Sequence, residues 1–402
     1  MSHHAMGLKQ FRMSLLAWIS LLVLVAVGAI ALYLTSLEDP TRAWFDYLIG
    51  STMFLGFGLC GLFFVLINHL VSAKWSVALR RVFEGMSLTL PVAAILMFGV
   101  YLGVHNLYEW SHEAVVASDP LLQEKSGYLN PTFFGIRLAA YFLIWIFSAL
   151  FLAKNSFAQD KTGDVGLSKI NYKGSAFLMV LFAFSSCGAG FDLIMSLEPH
   201  WFSTIFGIYF FAGFFQSGMA LMYIVAAYLW KKGILTDYLN KTHFHDLGKF
   251  VFAFSVFWAY IGFSQYMLYW YGNLPEETFW YSVRMEGGWG CMGLALLAVR
   301  WALPFLVLMP YGNKMNFRIA VPVCFVVIFG QWLDLFWNAM PAMRLVGHET
   351  GESVHTALIQ WQDLAIGIGF VALFFLTLGM IYERIRMVPL RDPRLEDSIH
   401  HH

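Results

Sequence analysis

The sequence predicts an all-α polytopic membrane protein: ten transmembrane helices, arranged as two four-helix bundles in parallel repeat plus two flanking helices. Three observations predict it. The 402-residue chain is 59% hydrophobic and 18% aromatic but only 12% charged, roughly half the charge of a soluble domain. Apolar runs of about 20 residues recur along nearly its whole length, each long enough to cross a bilayer core as a helix. Short motifs return in the same order in the two halves of the chain.

The spans fall near 13–36, 47–72, 82–105, 132–153, 174–197, 203–230, 249–272, 287–310, 319–341 and 358–382. Their flanks sort by charge. Nineteen Lys and Arg lie on the side of the two termini, against Arg42, Lys125, Arg284 and Arg344 on the other; Arg137 and Arg300 lie within spans. Positive residues stay inside, so both termini are expected in the cytoplasm. The first run is too long for the apolar core of a signal peptide and lacks a clear small-residue cleavage site, so it reads as a mature span. Residues 1–46 then form an N-terminal flanking helix, 47–202 and 203–341 the two bundles, and 342–402 a C-terminal flanking helix with a cytoplasmic tail.

The division rests on three paired motifs. "STMF" (51–54) opens span 2 and "STIF" (203–206) opens span 6. "FGVYLG" (98–103) closes span 3, and "FWAYIG" (257–262) lies late in span 7. "DLIMSLEP" (192–199) closes span 5 and "DLFWNAMP" (334–341) closes span 9. Matching order and matching membrane direction suggest a parallel repeat about an axis along the membrane normal.

Composition also excludes. A net charge of zero leaves no nucleic-acid footprint. Cys60, Cys187, Cys291 and Cys324 stand singly in apolar runs without a CxxC, which argues against iron–sulfur ligation, structural zinc and c-type haem attachment. His69 and His105 sit at opposite membrane boundaries, so the facing His pairs of a b-type haem are missing too. No metal or redox cofactor is expected on this chain. His400, His401 and His402 carry no functional signal, since such a run is equally a tag remnant.

Ionisable residues within spans are costly and usually face the bundle interior. In span 3, Glu84, Ser87, Pro91, Phe98, Tyr101 and His105 follow a 3,4 spacing and share one helix face, with Pro91 expected to free a carbonyl near mid-membrane. That face would reach roughly 30 Å, from the inner to the outer boundary. Asp192 and Asp334 fall in the outer halves of spans 5 and 9, and Asp363 near the outer end of span 10. The simplest pairing sets each buried Arg beside an acid of its own unit: Arg137 with Asp192 and Arg300 with Asp334. Such pairs either fix helix register or pass protons, and the residues alone leave both open. After Asp192, Pro199 ends the helix, and Glu198, His200 and Trp201 form a turn at headgroup level, with Ser203 or Thr204 capping span 6. This corner is either an aromatic anchor or an outlet for protons through Asp192, Glu198 and His200. The outer loops 105–119, 273–289 and 346–355 are acidic and aromatic, suited to a docking surface or simply to solvent.

With these residues in view, "FDLIMSLEPHWFSTIFGIYFFAGFFQSG" (191–218), ten spans and no cofactor motif resemble the quinol-handling membrane subunits of the polysulfide-reductase (NrfD-like) family. The likeness is nearer to the shorter of the two large membrane subunits of bacterial alternative complex III, a quinol:cytochrome c/electron-acceptor oxidoreductase, and covers roughly residues 10–390. "SLEPHWFSTIFG" is its most specific part. The resemblance implies a multi-pass subunit of the bacterial cytoplasmic (inner) membrane. It would stand among membrane lipids beside a homologous ten-helix subunit, with periplasmic subunits carrying iron–sulfur clusters and c-type haem. It implies membrane quinol (menaquinol or another) as electron donor, and a proton route through Glu84, His105, Arg137, Asp192, Glu198, His200, Arg300, Asp334 and Asp363. It also implies a secondary quinone site near Tyr101, His105 and Asp192. A secondary transporter and a purely structural anchor for periplasmic redox subunits are the competing readings. Parallel repeats suit a transporter, but no paired Gly/Pro-broken helices mark a substrate site.

Overall fold

Caps and prolines set where the helices begin. Asp39 accepts from the Arg42 N–H and Pro40 takes the first helical position of span 2, where its missing donor is harmless. Asn130 caps span 4 in the same way, with Pro131 behind it; Asn240 caps span 7. Span 4 stops at Gly163, which takes the left-handed conformation at φ 76°, open to glycine at little strain.

The structure, a computed structural model, describes residues 10–346 and 359–401. Among them are ten helices long and apolar enough to cross a membrane, and no strand. Spans 1 to 10 are Leu15–Glu38, Pro40–Leu70, Val77–Leu102, Pro131–Thr162, Gly166–Leu197, Phe206–Lys231, Lys241–Gly272, Gly287–Leu308, Phe317–Val346 and Trp361–Tyr382. The chain is a multi-pass integral membrane protein.

Spans 2 and 6 are almost wholly buried, whereas span 1 is mostly exposed. Span 2 packs against spans 3 and 5, and span 4 against span 5; span 6 packs against spans 7 and 9, and span 8 lies between spans 7 and 9. Spans 2 and 6 meet at the centre, with spans 5 and 9 beside them. Spans 1 and 10 run together against span 2. Their backbones touch at Gly28 and Gly369, where a Cβ on Gly28 would stand 2.7 Å from the Gly369 Cα. With lipid as apolar as the side chains, this kind of close backbone approach, rather than a hydrophobic force, drives association. We call the end that carries the C-terminal tail the terminal end, and the opposite one the far end.

Two expectations fail here. The polar face of span 3 is broken: the helix runs Arg80–Ser87, turns at 88–89, and resumes at Leu90–Leu102. Pro91 opens the second segment instead of breaking a continuous one, and the Ser87 and Thr89 hydroxyls donate to the Glu84 and Met86 carbonyls. The helical phase is not carried through the turn. Glu84 and Ser87 are buried, Phe98 is 59% exposed and His105 is exposed, so they do not share a face. Nor do Ser203 or Thr204 cap span 6. The helix starts at Phe206 without a side-chain cap, and the Ser203 hydroxyl donates to Gln265 Oε1. The loop 346–355 lies outside the described residues apart from Val346.

Candidate functional site

Each Asp that opens a "DL" motif sits in the far half of its helix and is met by an arginine from the helix before it. Arg137 donates to Asp192 from Nε and Nη2, both at 2.9 Å, and to the Tyr128 carbonyl from Nη1 at 2.7 Å. The hydroxyls of Tyr128 and Tyr141 donate to the same carboxylate at 2.9 and 2.8 Å. The guanidinium lies 3.8 Å from the Tyr128 ring centre and 4.6 Å from that of Phe133. Burial and the Asp192 charge push the Tyr128 hydroxyl up to about 12, so it stays a donor at neutral pH.

The Asp334 cluster is deeper. Arg300 is fully buried and Asp334 nearly so. Arg300 Nη1 and the Tyr209 hydroxyl make short hydrogen bonds to the carboxylate. Trp258 Nε1 and Asn338 Nδ2 donate at 3.2 and 3.0 Å. Gln216 Oε1 receives Arg300 Nε and Nη2 at 3.1 and 2.8 Å, and Gly213 O receives Nη2 at 3.0 Å. Arg300 stands in a turn of π-helix, Leu297–Ala302, a departure often found at functional positions. Gly330 clears its path: a Cβ there would meet Arg300 Cγ at 2.7 Å.

Asn338 joins this cluster to a second one at the far end. Its backbone carbonyl accepts from Arg284 Nη2 at 2.7 Å, and the same nitrogen donates to Glu198 at 2.6 Å. Glu198 also receives Arg344 at 2.7 Å. The Arg284 guanidinium stands over Trp280, 3.7 Å from its ring centre, and burial draws it below its ordinary value, with Glu198 opposing. Hydrogen bonds thus run from Arg300 through Asp334, Asn338 and Arg284 to Glu198 and Arg344.

The other expected residues sit elsewhere. His200 Nε2 lies 2.6 Å from Asp119 Oδ2 on an exposed corner. Slight burial raises the Asp119 carboxyl, but bonds from the Leu122 amide, His200 and the Leu121 amide outweigh it and hold it below its usual value. Asp363 takes Arg42 Nε at 2.9 Å and Nη2 at 2.5 Å, beside Asp46, which is buried with both carboxyl oxygens unpaired. Glu84 is at the terminal end, where Arg81 bridges it at 2.7 Å to Asp160 at 2.5 Å. His105 Nδ1 lies 3.1 Å from the Ser111 hydroxyl, and Tyr101 packs over Gly135.

A cavity of about 700 Å³ opens between spans 7, 8 and 9 and the connecting helix Pro275–Met285, next to the Asp334 cluster. Tyr209, Trp258, Tyr266, Trp280, Tyr281 and Trp337 supply its aromatic wall, with Gln265, Arg284 and Asn338 as polar points. Tyr101, His105 and Asp192 do not line it. Among the described residues no group of three or more His, Cys, Asp or Glu is placed to hold a metal.

The sequence reading missed Gln216, Tyr209, Tyr141, Arg81 and Asp160, and took Arg284 and Arg344 as loop charges. Gln216 had a signal, being an amide inside the apolar run of span 6. No family model and no curated protein matches the chain.

Proposed function

We propose that this chain is a membrane subunit of a quinol-oxidising respiratory complex of the alternative complex III kind, with a proton-transfer role centred on Arg300 and Asp334. The observation that carries the reading is the Arg300–Asp334 cluster. It is sequestered from lipid, linked by hydrogen bonds to Glu198 at the far end, and bordered by an aromatic cavity. An ion pair meant only to hold register needs no such extension, and buried polar groups inside membranes mark ion and proton pathways more often than scaffolding. The cavity volume falls in the range of small-molecule sites. Its aromatic wall, with Trp280 edge-on to both Tyr281 and Trp337, suits a planar quinone head and its apolar lining a prenyl tail. The cavity supports a secondary quinone site beside spans 7–9 in preference to one near Tyr101 and His105, which do not line it.

The packing around spans 2–5 and 6–9, each unit holding one Arg–Asp pair in its last two helices, supports two four-helix units in parallel repeat. The excess of basic residues at the terminal end supports cytoplasmic termini in a bacterial inner membrane. In this reading electrons pass through iron–sulfur and c-haem subunits above the far end, and a homologous ten-helix subunit stands alongside.

The test is purification and reconstitution of the intact assembly in liposomes. The chain is expected to co-purify with haem- and cluster-bearing subunits. Asp334→Asn should leave the assembly and quinol oxidation in place while lowering protons moved per electron severalfold. Full coupling in Asp334→Asn, or solute uptake by the chain alone, overturns the reading.

A further inference from the structure

Beside Asp334 the packing of span 6 against span 9 leaves a small void, with about 10 Å³ open to the centre of a water-sized sphere. That is about the room one water molecule needs. Tyr209 and Gly213 line it from span 6, Gln331, Asp334 and Asn338 from span 9, and Ile194 from the end of span 5. Two of these side chains hold a buried acceptor without a donor: Gln331 Oε1 and Asn338 Oδ1. The residues are only 4% and 5% exposed. The Asn338 amide cannot be turned to remove the problem, because its Nδ2 donates to both the Asp334 carbonyl and carboxylate, at 2.8 and 3.0 Å. Turned over, it would set an oxygen against two acceptors. Buried acceptors in native proteins almost always find a donor, and the protein offers none at these two atoms.

We propose that the void binds one water molecule, which donates its two hydrogens to Gln331 Oε1 and Asn338 Oδ1. Void size and the orphaned acceptors are separate observations, and each is what a site for one water calls for. With both hydrogens engaged, the water presents its oxygen as an acceptor beside Asp334. It therefore receives the carboxyl hydrogen whenever Asp334 carries a proton, while Arg300, Tyr209 and Trp258 serve the ionised form. This role rests on the reading of Asp334 as a proton carrier; the water site itself does not.

Gly213 provides the test. A Cβ at this position would stand 3.0 Å from Gln331 Oε1 and 3.5 Å from Arg300 Nη1, so the methyl of Gly213→Ala enters the void. In maps of the intact protein that resolve ordered waters, one peak is expected within hydrogen-bond reach of Gln331 Oε1 and Asn338 Oδ1. Gly213→Ala should abolish it with the Arg300–Asp334 contact retained, and Gln331→Leu should abolish it by removing an acceptor. An empty void in the unmodified protein, or a peak that survives both substitutions, overturns the site. For the role, the carboxyl stretch that disappears in Asp334→Asn is followed by infrared difference spectroscopy. Loss of the water's oxygen as acceptor should shift that band to higher frequency in Gly213→Ala; an unshifted band overturns the role. If the peak is present but Asp334→Asn leaves proton coupling intact, the water site stands and the proton-transfer reading falls.

Discussion

The Arg137–Asp192 and Arg300–Asp334 pairs hold corresponding places in the two halves of the molecule, yet live in different surroundings. Both acids follow a glycine by four residues: Gly188 makes room for Tyr141 and Gly330 for Arg300. Both have a polar residue four positions on that bonds back to the Asp carbonyl, Ser196 at 2.6 Å and Asn338 at 2.8 Å. The difference lies in what surrounds the arginine. Arg137 keeps 8% of its surface exposed, stacks on two rings and leans on a loop carbonyl. Arg300 has none exposed and spends its donors on Gln216, Gly213 and Asp334. A paired charge near an interface can be re-solvated when its partner goes, whereas one enclosed on all sides cannot. The first pair has the marks of a clamp between helices 4 and 5, the second those of a station whose charge depends wholly on its neighbours.

The sharpest way to break this contrast is to delete each acid. Asp334→Ala should destabilise the protein by about 3–5 kcal/mol, because it strands a buried guanidinium. Asp192→Ala should cost about 1–3 kcal/mol, the scale of lost charge-assisted hydrogen bonds. Unfolding in detergent micelles measures both, and equal losses would erase the distinction. The paired glycines come next. In Gly330→Ala the new methyl meets the stem of Arg300 at 2.7 Å, and that buried side chain is pinned by its bonds to Asp334, Gln216 and Gly213; overpacking of this kind costs about 1–3 kcal/mol. In Gly188→Ala the nearest atom is the Tyr141 hydroxyl at 2.5 Å, the tip of a half-buried side chain that can swing aside, so a smaller loss is expected in the same assay. Tyr209→Phe and Tyr141→Phe refine the comparison further. The first should cost more, since Tyr209 is itself buried and is the one tyrosine hydroxyl bonded to Asp334, whereas Tyr141 is half-buried and Asp192 keeps the Tyr128 hydroxyl.

A third acid, in the tail beyond span 10, gives the smallest effect and a pH signature. Burial raises the Asp392 carboxyl, but the charge of Arg80 and bonds from Arg394 outweigh it and hold it well below the usual carboxylate range. A carboxyl depressed on folding adds stability that is complete above its unfolded value of about 4 and is lost as pH falls through the folded value. The hydrogen-exchange protection factors of residues 383–401, which divide out the pH dependence of intrinsic exchange, should therefore hold from neutral pH down to about pH 4 and fall below it. Protection that is flat across this range would show that the ion pair does not hold the tail.

Much of the frame was legible in the chain. Runs such as 13–36 and 358–382 are long enough to span lipid and too apolar to do anything else. Arg137 and Arg300 each had one acid at similar depth in their own unit, so their partners could be read without coordinates. The face proposed for span 3 could not be: whether Pro91 kinks a helix or opens a new one depends on the turn at 88–89, where the Ser87 and Thr89 hydroxyls bond back to the Glu84 and Met86 carbonyls, and the spacing of Glu84 and His105 is the same in either case. Arg284 looked like a loop charge because nothing local shows that its loop forms a helix that carries it inward to Glu198 and the Asn338 carbonyl.

Sequence alone determined the ten helices, the sorting of charge between the two ends and the presence of ionisable groups where lipid would not tolerate them, because hydropathy and charge act residue by residue and need no partner. Only the tertiary structure decided which charges are enclosed and which are wetted, that Asn338 bridges Asp334 to Glu198, and that an aromatic cavity opens beside them. Those properties belong to helices meeting in space, where a glycine admits a neighbour's side chain and a void is whatever the packing leaves unfilled.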